Sequence, residues 1–230
     1  MKKLLSFKTM ITLMLFVVFI VFTVCINSID VQAEGPRESL IGLAHINKAF
    51  HNFIGVNMFL YELTDWLGLV PILFAIVYAL IGLAQWIKGR SIKKVDPKII
   101  MLGCFYLLVI GTYILFESMV INYRPILIDG FLEPSYPSTH IFVSICIMGT
   151  SLWMIQSVIK NHNIKFTINT ISVMILAVIV VGRIFSGVHW LTDILGGLLL
   201  SGAFLSLFLQ LIKITPYRNK AYNSSNIDKY

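Results

Sequence analysis

Six apolar runs dominate this chain, and their length decides its solvent. Thr9–Ile26, Trp66–Ile87, Ile99–Phe116, Ile141–Ile159, Phe166–Gly182 and Ile194–Ile212 each approach or pass the roughly 18 residues that read as a transmembrane helix. Only 13% of the residues are charged, against about 25% in an ordinary soluble domain. Hydrocarbon offers no partners to backbone N–H and C=O groups, so such runs fold as helices that satisfy their own hydrogen bonds. The expected fold is all-α, an integral membrane bundle of six transmembrane helices. Residues 1–33 are expected to form a first transmembrane helix or a signal-like leader. Residues 34–65 form an outer amphipathic segment, 66–213 the main membrane domain, and 214–230 a polar cytoplasmic tail.

Cationic residues set the orientation. Lys2, Lys3 and Lys8 precede the first run, and Lys88, Arg90, Lys93, Lys94 and Lys98 fill the link between the second and third. Lys160 and Lys165 lie between the fourth and fifth, and Lys213, Arg218, Lys220 and Lys229 follow the sixth. With alternating spans all of these share one side, leaving Arg37, Lys48, Arg124 and Arg183 opposite. The positive-inside rule places both termini in the cytoplasm. That distribution, and not nucleic-acid binding, accounts for the net charge of +7. The basic start and Val31-Gln32-Ala33 also fit a cleaved leader, which leaves the orientation of the later spans unchanged.

In the outer segment, Leu40, Leu43, Phe50, Phe53 and Ile54 recur at helical spacing, which predicts an amphipathic helix at the headgroup level. It would serve as a brace or as a lid beside a lipid opening. His45 and His51 read as surface residues. Cys25, Cys104 and Cys146 lack disulfide or zinc spacing and read as packing residues. No metal or other cofactor is expected. Pro71 is a candidate kink, and Gly196-Gly197 and Gly202 predict close packing in the last span.

Three polar clusters interrupt the apolar runs, all on the predicted outer side. His189 and Asp193 are four apart and share a helical face. A carboxylate there can fix the imidazole tautomer and free the other nitrogen for attack. A bare carboxylate in a membrane costs about 2.5–3.5 kcal/mol, so Asp193 needs a partner. Pro137-Ser138-Thr139-His140 reads as a helix start with a capping serine, whose free amides favour an anion. His140 could supply a proton there. Arg124 and Arg183 offer planar forks for phosphate oxygens. Taken singly, each cluster also fits a structural cap, ion pair or headgroup anchor.

Their order resembles the type 2 phosphatidic acid phosphatase superfamily, which also contains vanadium haloperoxidases. Arg124-Pro125 matches the end of Lys-x6-Arg-Pro. Pro137, Ser138 and His140 match Pro-Ser-Gly-His with Thr139 in the glycine position. Arg183, His189 and Asp193 match Ser-Arg-x5-His-x3-Asp with Gly182 replacing serine. The resemblance implies a haloperoxidase-like helical core and a metal-free site. His189 would be the nucleophile, Asp193 its orienting carboxylate and His140 the proton donor. Arg124, Arg183, Ser138 and Thr139 would hold the phosphate. It further implies a lipid phosphate or diphosphate substrate at the outer face of the plasma membrane, with membrane lipids around the protein. Alternatives are phosphotransfer to an alcohol, or lipid binding or transport without catalysis.

One departure stands out. Where the motif has lysine, seven positions before Arg124, the chain has Glu117. At roughly 6 Å and an effective dielectric near 20, one unit charge is worth about 3 kcal/mol, so reversing its sign swings about 5 or 6. Glu117 could turn away or pair with Arg124. It could be protonated or engage a substrate hydroxyl or amine, or the activity could be lost while the fold persists.

Overall fold

The computed structural model describes residues 7–215; residues 216–230 of the predicted polar tail, and Lys2 and Lys3, lie outside them. The helices are α1 (Phe7–Ser28), α2 (Ala44–Ile54), α3 (Met58–Leu67), α4 (Leu69–Gly89), α5 (Pro97–Ser118), α6 (Thr139–Val158), α7 (His162–Phe185) and α8 (Leu191–Ile214). Among the described residues β pairing is confined to isolated bridges. Six helical runs among the described residues are long and apolar enough to cross a bilayer, one of them the combined run Met58–Gly89.

Local chemistry sets several boundaries. The Asn57 side chain accepts from Leu60 N at the start of α3, and Asn161 accepts from Asn163 N and Ile164 N at the start of α7. Asp96 accepts from Lys98 N just before Pro97, whose missing N–H costs nothing in a first turn. The second apolar run therefore starts at Met58 instead of Trp66, with an interruption at Gly68 between α3 and α4. Pro71 falls in the first turn of α4, where proline is tolerated.

Packing centres on α6 and α8, the most buried of the spans. Phe105, Phe142, Phe204 and Phe208 form an aromatic core, with Phe142–Phe204 and Phe105–Phe208 centroids each 5.0 Å apart. Several polar groups inside the bundle pair across helices. Thr12 meets Ser206 at 2.6 Å, tying α1 to α8, and Tyr106 meets Ser151 at 3.1 Å, tying α5 to α6. Thr23 on α1 bonds the buried Tyr136 hydroxyl at 2.7 Å, just ahead of the Pro137-Ser138 cluster.

The outer segment is ordered by its own contacts. Gln32 and Ile41 exchange backbone hydrogen bonds, and Asn47 donates to Gly42 O and Thr192 Oγ1. His51 differs from its expected surface role: it is half-buried, its ring 5.4 Å from Trp190, and burial holds its pKa below the ordinary range.

Candidate active site

The third cluster turns on two glycines. Gly187 has φ +67°, and a Cβ there would sit 1.8 Å from Gly55 O, so only glycine lets the α2–α3 link press against this turn. Asn57 N donates to Ser186 O at 2.9 Å across the same contact. On the α7 side, a Cβ on Gly182 would meet Thr64 Cγ2 at 2.4 Å, so α3 packs directly on α7. Arg183 is thereby fully buried, and its Nη2 donates to Asp65 Oδ1 of α3 at 2.5 Å.

His189 is buried between two groups. Its Nε2 lies 3.4 Å from Arg124 Nη1, while Nδ1 lies 3.7 Å from Asp193 Oδ2. Asp193 also closes the start of α8: Oδ2 accepts from Trp190 N at 2.9 Å, and its backbone oxygen accepts from Ser138 N at 2.9 Å. One carboxylate thus caps α8 and faces the imidazole. Burial, and then the positive charge of Arg124 and Arg183, hold the His189 imidazole well below its ordinary pKa range. It is neutral at neutral pH.

Arg124 is fixed from below by Arg124 N donating to Glu133 O and by its Nε, 3.0 Å from Glu133 Oε2. The expected alternative of an Arg124–Glu117 pair is not formed. Glu117 is exposed and accepts from Thr139 Oγ1 at 3.3 Å. Ser138 sits at the N-cap of α6, but its hydroxyl does not cap the helix as the sequence predicted. Gly196 and Gly197 make room for this loop: added Cβ atoms would strike Tyr136 Cε2 at 2.5 Å and Ser138 O at 2.8 Å.

Sequence reasoning missed two residues, both on α3. Tyr61 lies under both guanidinium groups, its ring centre 6.0 Å from Arg124 Cζ and 4.9 Å from Arg183 Cζ. Asp65, one helical turn on, takes Arg183 and also His140, whose Nε2 is 3.0 Å from the same Oδ1. The contacts form one series: His189, Arg124, Tyr61, Arg183, Asp65, His140. Along it His140 Nδ1, His189 Nδ1 and Arg183 Nε and Nη1 are buried without a hydrogen-bond partner, as is Ser138 Oγ at the start of α6. Buried donors left unpaired cost about 1–3 kcal/mol each, and an oxyanion is the ligand that would satisfy several together.

Fold and site together define a multi-pass helical membrane protein with a cluster of arginines, imidazoles and carboxylates at one end of its bundle. The PAP2 superfamily model matches residues 110–215, which contain all eight residues singled out from the motifs. The fold is similar to the crystal structure of a transmembrane PAP2-type phosphatidylglycerolphosphate phosphatase from Bacillus subtilis. The TM-score is 0.55 at 18% identity, over 90% of this chain and 98% of that one. No curated protein matches the chain.

Proposed function

We propose that this chain is a membrane lipid phosphatase that works through a phosphohistidine. Its substrate would be a lipid phosphate monoester or diphosphate of the isoprenyl diphosphate, phosphatidylglycerophosphate or phosphatidate class. The observation that carries the reading is the convergence of two arginines, two imidazoles and a serine hydroxyl, several with unpaired buried donors, at one end of a membrane bundle. The likeness to a phosphatidylglycerolphosphate phosphatase supports a lipid substrate. Positive-inside charge supports an extracytoplasmic pocket in the plasma membrane.

In this mechanism His189 Nε2 attacks phosphorus while Asp193 faces Nδ1. The P–N bond forms as the bond to the leaving oxygen breaks, and that oxygen takes a proton from His140. His140, now neutral, then takes a proton from water as the water oxygen attacks phosphorus and the P–N bond breaks. Free phosphate leaves, and both imidazoles regain their starting states. Arg124 and Arg183 neutralise the phosphoryl oxygens throughout. Replacing one slow hydrolysis by two transfers is the source of acceleration.

The test is phosphate release by detergent-purified protein from a panel of lipid phosphates, beside His189→Ala. Wild-type turnover that disappears in His189→Ala is expected; turnover that persists refutes the mechanism. Label that moves from a phosphate-labelled lipid into an added alcohol, with little free phosphate, assigns phosphotransfer instead.

A further inference from the structure

We infer that Asp65 is a positioning residue for proton donation: its Oδ1 holds His140 Nε2–H, so that His140 presents Nδ1–H to the leaving oxygen. The inference rests on the phosphohistidine reading and extends it to a helix outside the recognised motifs and outside residues 110–215.

The geometry supports this role directly. His140 Nε2 is engaged at 3.0 Å, while Nδ1 is buried and unpartnered, so the ring has one anchored nitrogen and one free one. An imidazole that must both give and take a proton needs its other nitrogen fixed by an acceptor, or the ring turns and the tautomer is undefined. Asp65 supplies that acceptor as a full negative charge, which favours the doubly protonated ring required of an acid. The groups around His140 are Asp65 from α3, Arg183 from α7, Arg124 from the α5–α6 loop and His189 from the α7–α8 turn. Asp65 is the anion among them, and without it three groups that are positive or able to become so disfavour a charged His140.

Asp65 does not close the pocket to phosphate. It uses only Nη2 of Arg183, leaving Nε and Nη1 unpartnered. The same oxygen therefore sets the proton donor against one edge of the clamp while the rest remains available. Asp65 and Tyr61 are four apart on α3, so a single helix face positions both arginines and the acid.

The test compares two leaving groups on the same protein sample, so that the folded fraction cancels. Dodecyl phosphate releases an alkoxide that needs a proton, whereas p-nitrophenyl phosphate releases a phenolate that does not. Asp65→Asn keeps the shape, and is expected to lower kcat/KM on dodecyl phosphate by about 100-fold or more while changing the aryl ester less than about tenfold. Asp65→Glu should restore part of the alkyl activity. In 15N spectra of histidine-labelled protein, with the signal assigned through His140→Gln, His140 should take up its second proton at a lower pH in Asp65→Asn than in the wild type. Equal losses on both esters, or an unchanged His140 signal, overturn the role of Asp65 while leaving the nucleophile intact. Turnover that survives His189→Ala, or a wild-type protein that hydrolyses neither ester, overturns the phosphohistidine reading and this inference with it.

Discussion

Gly182→Ala places a methyl group where α3 meets α7. The added carbon would lie 2.4 Å from Thr64 Cγ2, and carbon atoms rest at about 3.5–4.0 Å. Thr64 is fully buried and its hydroxyl donates to Leu60 O at 2.7 Å and Tyr61 O at 2.9 Å. Rotating it away would sacrifice those bonds, so α3 must move off α7, drawing Tyr61 and Asp65 from Arg183. Overpacking of this kind costs about 1–3 kcal/mol, partly offset by the roughly 0.8–1.0 kcal/mol that alanine gains over glycine inside a helix. The single variant alone is therefore ambiguous, and its coupling to Thr64→Ser is the informative quantity. Serine keeps the hydroxyl and removes Cγ2, leaving only Thr64 Cβ at 3.9 Å and Leu60 O at 4.0 Å near the new methyl. Gly182→Ala should be unfavourable in the wild type and favourable in the Thr64→Ser background, with a coupling energy of about 1–3 kcal/mol. Thermal unfolding of the four proteins in detergent measures it, and kcat/KM on a lipid phosphate should recover in the double variant. Coupling within the roughly 0.3–0.5 kcal/mol of independent sites would refute the proposed contact between α3 and α7.

Three other outcomes follow from the same structure. His189 has its pKa lowered by burial and by Arg124 and Arg183, and its neutral form is the nucleophile. The acid limb of kcat/KM should therefore lie below the usual imidazole value of about 6.5; a limb at or above that value contradicts the environment described. Glu117→Lys alters an exposed group bonded to Thr139, so kcat/KM should change by less than about tenfold, as exposed pairs do. A change of hundreds-fold would place residue 117 against the phosphate. Thr23→Val leaves the Tyr136 hydroxyl, buried and bonded to Thr23 at 2.7 Å, without its partner, at a cost of about 1–3 kcal/mol. A lowered unfolding temperature is expected, together with an intact mass that retains α1. A mature chain cut after Ala33 would be indifferent to the substitution.

The six spans were legible because a bilayer imposes a length and a composition on every crossing segment, leaving a repeated mark along the chain. The three polar clusters were legible for a related reason: each interrupts or ends an apolar run, where a charged residue needs a purpose. Finer geometry was not. Ser138 occupies the expected cap position, but its hydroxyl makes no capping bond, and its carbonyl packs against Gly197 of α8, a contact 59 positions away. Arg124 pairs with Glu133 because the chain between them folds back, Arg124 N donating to Glu133 O. Helical spacing from Glu117 carries no information about that return.

Asp65 shows where the missed signal lay. A carboxylate at the edge of an apolar run is costly wherever it occurs, and the demand for a partner that applies to Asp193 applies equally to Asp65. Its partners stand 75 and 118 positions away, at His140 and Arg183, beyond the reach of any local pattern. Thr64 and Gly182 supply the missing connection. The small residue on α7 admits α3 at close range, and that approach brings Asp65 to Arg183. Gly182, which stands where the motif has serine, is in physical terms the condition for the carboxylate to arrive. The substitution at one motif position and the extra acid outside all the motifs are therefore two parts of one packing solution.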